Sequence, residues 1–239
     1  MMKDETKTCQ SNRRFLRLIL ISSLILLPSS LFITGCNILG VFAAALPPPP
    51  IKPVYTGMTG QTVGVMVWAD RGIRTDWESI QLDIATGIHQ RLADPRDGKG
   101  KSKPHKEFKD ASFPWKPASI VRYQREHPES ESMTITEVAP RLQVSRLIYV
   151  EIEQFQTRSD SAVGLFRGTI VATVRVVETD LATKKAKVVY TENDIKVQFP
   201  KKSNEEGVPD LGDRQTYAGT VTLFTDVVAK RFYEHAPEE

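Results

Sequence analysis

The chain has 239 residues, which is room for one ordinary domain together with terminal extensions. Hydrophobic residues make up 40% of it and charged residues 26%, a composition that excludes both a wholly disordered chain and a polytopic membrane protein. The formal net charge is +3 at pH 7, and residues 1–35 account for all of it, with five Lys or Arg against two acids. The neutral remainder argues against a general nucleic-acid binder, which needs a surplus of basic side chains for phosphate contacts.

The amino-terminal segment has the pattern of an exported protein. Its basic stretch is followed by an apolar run at residues 18–27 and then by small residues, which together are typical of a secretory signal peptide at residues 1–35. The boundary Ile33-Thr34-Gly35-Cys36 resembles the bacterial lipobox. This resemblance implies cleavage between Gly35 and Cys36, a diacylglycerol thioether on the Cys36 sulfur, and palmitate-type acylation of the new amino terminus.

Two other interpretations of this segment remain open. No charge occurs between Arg17 and Lys52, so an uncleaved transmembrane helix of about 20 residues fits there, although Pro28 interrupts it. The third possibility is a chain that stays in the cytoplasm. We favour the lipoprotein, and Asn37 after the cysteine favours anchoring in the outer membrane, facing the periplasm, over the inner membrane.

Cysteine usage fits export without disulfides. The sequence has two cysteines, and Cys9 would be removed with the signal peptide. If Cys36 carries lipid, the mature chain has no thiol for a disulfide, a nucleophile or a thiolate metal site. Residues 36–61 then form a lipidated apolar and proline-rich tether, a short extended spacer, and residues 62–239 form the periplasmic domain.

The pattern of residues 62–239 predicts an α+β fold. Short β-branched runs and alternating runs predict strands at residues 62–68, 118–123, 144–157, 164–179 and 187–199. Helical periodicity fills the first two gaps and the end of the chain, which gives the order β-α-β-α-β-β-β-α. This order predicts a single mixed β-sheet of about five strands with helices packed mainly on one face.

Capping residues and apolar faces predict where the helices lie. Thr75 with Glu78 and Thr134 with Glu137 have capping-box spacing, and Pro140 limits the second helix to a short one or bends it. The last helix starts near Asp213. The predicted apolar faces are Trp77, Ile80, Ile84, Ile88 and Leu92 on the first helix, and Tyr217, Val221, Phe224, Val228 and Phe232 on the last.

Residues 94–117 form a locally basic loop insert. Contact with an anionic partner, such as lipid headgroups or a cell-wall polymer, is one explanation of its charge. A solvated mobile loop is the explanation we favour. Phe113 and Trp115 within it either form an exposed edge that binds a partner or dips into a membrane, or pack back on the domain.

Three segments of the domain resemble a family of envelope proteins. They are residues 63–68 leading into a helix, residues 136–151 as a helix, small loop and strand, and residues 168–184 as a strand ending in a turn at Asp180, with Lys184 in place of the expected glycine. On a lipobox protein, this order resembles the periplasmic domains of penicillin-binding-protein activator lipoproteins and of the curli secretion channel lipoprotein. The amino-terminal domain of the Tol-system propeller protein has a similar fold. The long amphipathic hairpins by which the curli channel would line a pore have no counterpart here.

The sequence contains no motif that assigns catalysis or metal binding. Its four histidines, His89, His105, His127 and His235, lack the spacing of paired ligands and are interpreted as surface residues. Glu151 and Glu153 share one face of a predicted strand, and the solvent side of a half-buried sheet explains them better than acid–base work does. We therefore predict no catalytic residue, no cofactor and no metal site.

These observations favour a non-enzymatic, lipid-anchored cell-envelope protein that acts as an accessory, scaffold or regulator of an envelope machine. The alternative is a structural subunit of a secretion or transport assembly, and a third hypothesis is an envelope hydrolase. The expected partners are the membrane, through the lipid on Cys36, and an envelope protein, with a homo-oligomer possible and nucleic acid excluded.

Overall fold

The computed structural model describes residues 48–95, 103–159, 164–201 and 207–237. The predicted signal peptide, Gly35 and Cys36 at the lipobox, and the tether up to residue 47 lie outside the described residues. So do residues 96–102 of the basic loop, residues 160–163 of a predicted turn and residues 202–206. Within the described part of the chain, no helix is both long enough and apolar enough to cross a membrane.

The centre of the fold is a four-stranded sheet in the order β1-β2-β3-β4. Its strands are β1 (Val63–Ala69), β2 (Arg146–Arg158), β3 (Phe166–Asp180) and β4 (Lys185–Phe199). β1 pairs with β2 in parallel, and the other two pairs are antiparallel. The predicted α+β class and mixed sheet are confirmed, with four strands in place of about five.

The missing strand is a helix. Residues 118–123 were predicted to be extended, but Pro117–Glu126 is helical and is α3 of the fold. Pro117 occupies the first turn, where the fixed φ of proline suits a helix and its missing N–H costs nothing. The error came from the adjacent apolar pair Ile120 and Val121, since a short apolar run does not distinguish a strand from a buried helical turn.

Helices cover both faces of the sheet. The two longest, α2 (Ile80–Ala93) and α5 (Asp213–Ala229), pack on one face, as the sequence predicted. They bury the larger of two hydrophobic clusters, the main core, around Ile84, Ile88 and Phe224. On the other face α3, α4 (Ile135–Val138) and a 3₁₀ turn (Ala139–Leu142) bury a smaller core. That core is formed by Met66, Ile120, Val138, Ala139, Leu142, Val144, Leu147 and Val177.

The first helix is interrupted, so the Thr75–Glu78 capping box is wrong. A short helix, α1 (Arg71–Asp76), follows β1 directly, and Asp70 caps it by accepting the Ile73 backbone N–H at 2.8 Å. Thr75 instead donates to the Arg71 carbonyl. The chain turns at Trp77 before α2 begins, and the Trp77 ring stacks on Tyr217 with ring centroids 5.1 Å apart.

The second capping box and the proline limit are confirmed. The Thr134 backbone N–H donates to Glu137 Oε2 at 2.8 Å, and α4 ends at Val138 before Pro140. The turn between β3 and β4 is also where the sequence placed it. Asp180 accepts the backbone N–H of Ala182 at 2.9 Å, and Lys184 has a φ of +56°, the left-handed conformation in which glycine was expected.

The described part of the basic loop packs on the domain, so a solvated loop is wrong for residues 103–117. A 3₁₀ turn (Lys106–Phe108) buries Glu107 and Phe108, and the Glu234 backbone N–H donates to Glu107 Oε1 at 3.2 Å. Phe113 packs against the main core, and Trp115 donates from Nε1 to the Leu142 carbonyl at 2.7 Å. Both aromatic side chains thus pack back on the domain.

Candidate ligand-binding cleft

A cleft opens on the sheet face that carries α3 and α4. Its floor includes Met66 and Trp68 of β1 and Tyr149 and Glu151 of β2. Trp68 and Glu151 are partners in the register of β1 and β2, and Arg175 of β3 is the register partner of Tyr149. The cleft encloses about 310 Å³. Its walls are formed by Met66, Trp68, Arg74, Gln81, Gln124, Ser130, Glu131, Met133, Ile135, Val138, Tyr149, Glu151 and Arg175.

Two ion pairs balance the charges of the cleft. Arg175 Nη1 lies 2.5 Å from Glu151 Oε2 across neighbouring strands. Arg74 Nη1 lies 2.7 Å from Glu131 Oε1 and joins α1 to the 3₁₀ turn Pro128–Ser132. Each cation has a carboxylate partner, so the cleft presents no net charge to a ligand.

Two glutamine side chains donate hydrogen bonds to a backbone carbonyl on the outer edge of β1. The Val67 carbonyl accepts from Gln81 Nε2 at 2.9 Å and from Gln124 Nε2 at 3.0 Å. β1 is an outer strand of the sheet, so this carbonyl faces away from β2 and needs such donors. The bond to Val67 also fixes the orientation of the Gln124 amide, because only its nitrogen can donate.

Two buried polar atoms of the cleft have no hydrogen-bond partner among the described residues. They are Trp68 Nε1, which is a donor, and Gln124 Oε1, which is an acceptor. Trp68 follows Val67, whose carbonyl accepts from Gln124, and both side chains line the cleft. A buried group without a partner is destabilising, which makes such a pair of atoms uncommon in a native structure.

Tyr149 supplies a third polar group to the cleft, a phenol hydroxyl that stays protonated. Burial raises the pKa of its hydroxyl, and the neighbouring Glu151 carboxylate raises that pKa further. The phenol is therefore neutral at physiological pH and retains its capacity to donate a hydrogen bond.

The structure separates the two glutamates that the sequence analysis singled out. They do share a sheet face, as predicted, but Glu151 pairs with Arg175 in the cleft, whereas Glu153 is exposed and accepts from Thr173 Oγ1 at 2.6 Å. From the sequence, Trp68 was predicted as part of a strand, and neither Gln81 nor Gln124 was predicted to be functional. The sequence does hold one sign of them, since each is a glutamine beside apolar residues on the buried side of its helix, α2 for Gln81 and α3 for Gln124.

The four histidines are each engaged locally and do not converge. His89 meets Phe113 edge to face, and burial lowers its pKa. His105 stacks on Tyr233 with ring centroids 3.6 Å apart, His127 pairs with Glu129, and His235 contacts the Tyr233 carbonyl. Among the described residues, no group of three or more His, Cys, Asp or Glu side chains could hold a metal ion.

A second surface feature is the outer edge of β4. No described strand pairs with this edge, and Val188 and Val189 on it are 42% and 36% exposed. The register with β3 shifts beside Val189, and again near Asp194, which has a φ of +56°. Such bulges interrupt an otherwise regular row of backbone groups and limit uncontrolled pairing.

Comparisons with known proteins give weak similarities only. Neither a protein-family model nor a curated protein matches the sequence. Among solved structures, lipoprotein GNA1162 from Neisseria meningitidis is 9% identical, with 70% of this chain and 96% of that chain covered and a TM-score of 0.36. A PelC dodecamer from Paraburkholderia phytofirmans is 10% identical, with coverage of 75% and 92% and a TM-score of 0.33. The hypothetical protein CT253 from Chlamydia trachomatis is 17% identical, with coverage of 71% and 94% and a TM-score of 0.34.

Proposed function

We propose that this chain is a non-enzymatic, lipid-anchored protein of the cell envelope that docks on a partner protein as an accessory of an envelope machine. The lipobox-like residues ending at Cys36 support the anchor, and Asn37 supports the outer membrane, facing the periplasm. The proline-rich tether is short, so the domain works close to the membrane that holds it.

The unpaired edge of β4 carries the docking part of this proposal. Its backbone groups are able to bind an extended segment of another protein by adding a strand, a common mode of peptide recognition. Val188 and Val189 offer apolar contacts beside that edge, and Lys185 and Lys187 precede them on the same strand. Lys187 pairs with Glu178 at 3.3 Å but keeps a side-chain exposure of 72%. These lysines favour an extended partner segment that carries acidic side chains next to apolar ones.

Photo-crosslinking tests the proposed surface. A photoreactive amino acid is placed at position 188 of the full-length protein in its native membrane. We expect one discrete adduct with another envelope protein. Substitution of both Val188→Lys and Val189→Lys puts charge on the apolar contact and should reduce recovery of that same protein by about tenfold or more.

Val54→Lys is the matched control, because Val54 is 62% exposed and lies outside β4. This variant should recover the partner as the unaltered protein does, and the melting temperatures of all variants should agree. Adducts between copies of this chain would contradict the accessory role and support a structural subunit. An absence of adducts, or unchanged recovery with the double variant, would contradict docking at β4.

A further inference from the structure

We infer that the cleft between β1, α3 and α4 binds a small neutral molecule through a secondary amide group. This site is distinct from the β4 edge, and the inference does not depend on the proposed docking. It rests on the paired donor and acceptor, on the size and lining of the cleft, and on its balanced charge.

The two unpartnered atoms are complementary in hydrogen-bonding character to the C=O and N–H of an amide. Trp68 Nε1 can donate to a ligand carbonyl, and Gln124 Oε1 can accept from a ligand N–H. The Gln124 amide cannot simply rotate to reverse these roles, because its nitrogen is engaged with the Val67 carbonyl at 3.0 Å. A carboxylate would leave Gln124 without a donor, and an ammonium group would leave Trp68 without an acceptor, whereas an amide carries both a donor and an acceptor.

The rest of the cleft suits the body of such a molecule. The cleft volume of about 310 Å³ is at the small end of the range for ligand pockets. Met66, Met133, Ile135 and Val138 form an apolar wall, and methionine side chains adapt readily to a ligand shape. Because Arg74, Arg175, Glu131 and Glu151 are paired with one another, the cleft favours a ligand without net charge.

Access to the two atoms requires a side chain to move, since both are buried. The Arg74–Glu131 pair is the more exposed of the two ion pairs, with side-chain exposures of 31% and 44%. Exposed ion pairs contribute little to stability, so opening this one is inexpensive. We expect a ligand to displace this pair while the strands and α3 stay in place.

Indole N–H signals give a direct test. The full-length protein is labelled with ¹⁵N at its tryptophan side chains, held in a maltoside detergent and titrated with two amide probes. N-acetyl-D-glucosamine represents an amino-sugar source, and N-acetylalanine methylamide represents a peptide source. D-glucose lacks the acetamide of the first probe, and methyl 2-acetoxypropanoate, in which esters replace both amides, lacks the N–H groups of the second. We expect a saturable shift of the Trp68 indole signal with at least one amide probe and none with the matched compounds.

Variants distinguish hydrogen bonds between the ligand and Trp68 or Gln124 from a general effect of the ligand on the protein. Trp68→Phe removes the donor and Gln124→Met removes the acceptor, and each should weaken binding about tenfold or more. Gln124→Met leaves the Val67 carbonyl with Gln81 as its donor, so the fold should persist, as the melting temperature will show. For Trp68→Phe and Gln124→Met, binding is followed by isothermal titration calorimetry. Trp115→Phe is the control, because that indole already donates to Leu142 at 2.7 Å.

Each result decides the inference. Binding of one probe alone identifies the source of the amide, and binding of both supports the shared chemistry. Failure of both amide probes at millimolar concentration would overturn the inference. So would binding that is equal with the matched compounds, or that persists unchanged in Trp68→Phe and Gln124→Met.

Discussion

Asp213 begins α5 and is held by two neighbours. Arg158 Nη2 lies 2.6 Å from Asp213 Oδ2, and Thr157 Oγ1 donates to Asp213 Oδ1 at 2.6 Å. The hydrogen bond from Arg158 and then that from Thr157 lower the pKa of this carboxyl to about 2. A negative charge at the first turn of a helix is also favourable.

The ionised form of Asp213 should therefore stabilise the fold in a pH-dependent way. A carboxyl whose folded pKa lies below its unfolded value contributes fully above about pH 4, and its contribution is lost as the pH falls toward about 2. Because the pair is partly exposed, Asp213→Asn should lower the free energy of unfolding by only about 0.5–1 kcal/mol near pH 7. Urea unfolding of both proteins across this pH range measures the difference.

The exposed Asp210 provides the control for that measurement. Asp210→Asn removes an equal charge three positions earlier in the chain and should leave the unfolding free energy nearly unchanged. A pH-independent loss in Asp213→Asn would show that the side chain acts through packing and not through its charge.

Phe224 is the residue on which the register of α5 depends. Its side chain is fully buried in the main core. Phe224→Ala should cost about 3–5 kcal/mol, because it removes buried surface and leaves a cavity. Thr222→Ala, at an exposed position of the same helix, should change stability by less than about 0.5 kcal/mol. Chemical denaturation of both variants checks this, and a loss below about 1 kcal/mol in Phe224→Ala would contradict the packing.

Residues 103–112 act as a packed element of the domain. The Val63 backbone N–H donates to the Ser112 carbonyl at 2.7 Å, the Gly60 N–H to the Lys109 carbonyl at 2.9 Å, and Phe108 enters the main core. Deletion of residues 103–112 should lower the melting temperature by about 5 °C or more. The sequence favoured a solvated mobile loop here, and the contacts of this segment reverse that expectation.

Scanning calorimetry with a charge-only control tests this element. Replacement of Lys103 and Lys109 by alanine removes two exposed positive charges, keeps the Lys106–Glu234 ion pair, and leaves the backbone and Phe108 unchanged. This double variant should melt within about 2 °C of the unaltered protein. Equal melting of the deletion and the unaltered chain would show that the segment contributes no packing.

The accuracy of the sequence predictions varied with the kind of element. β2, β3 and β4 were predictable because their length and alternation persist over many residues. α5 was predictable because its apolar positions keep helical spacing through Phe232, which lies just past the helix end. α3 was missed because its apolar pair is too short to show a period, and α1 was missed because Asp70, rather than Thr75, supplies the cap.

The candidate cleft could not be predicted in the same way. It is made by Trp68, Gln124 and Arg175, which come from a strand, a helix and a distant strand that only the tertiary fold brings together. The pairing of Glu151 with Arg175 likewise depends on the register of β2 and β3. Sequence patterns describe one element at a time, so a site built across several elements leaves only indirect signs.

At the scale of the whole molecule, the anchor depends on one side chain. Cys36→Ala removes the sulfur that would receive the lipid, so the signal peptide should remain uncleaved. The measurement is the mass of the amino-terminal peptide together with phase partitioning in detergent. Cys9→Ala, which alters the other cysteine of the chain, should be processed normally. Unchanged processing and lipidation of Cys36→Ala would contradict the lipoprotein assignment.

The accessory role and the subunit role predict different assemblies. The most direct test of the proposed function is the native mass of the full-length lipidated protein, extracted gently in detergent. We predict one copy of the chain, alone or together with a different envelope protein. A symmetrical complex of several copies would contradict the accessory role and support a structural subunit.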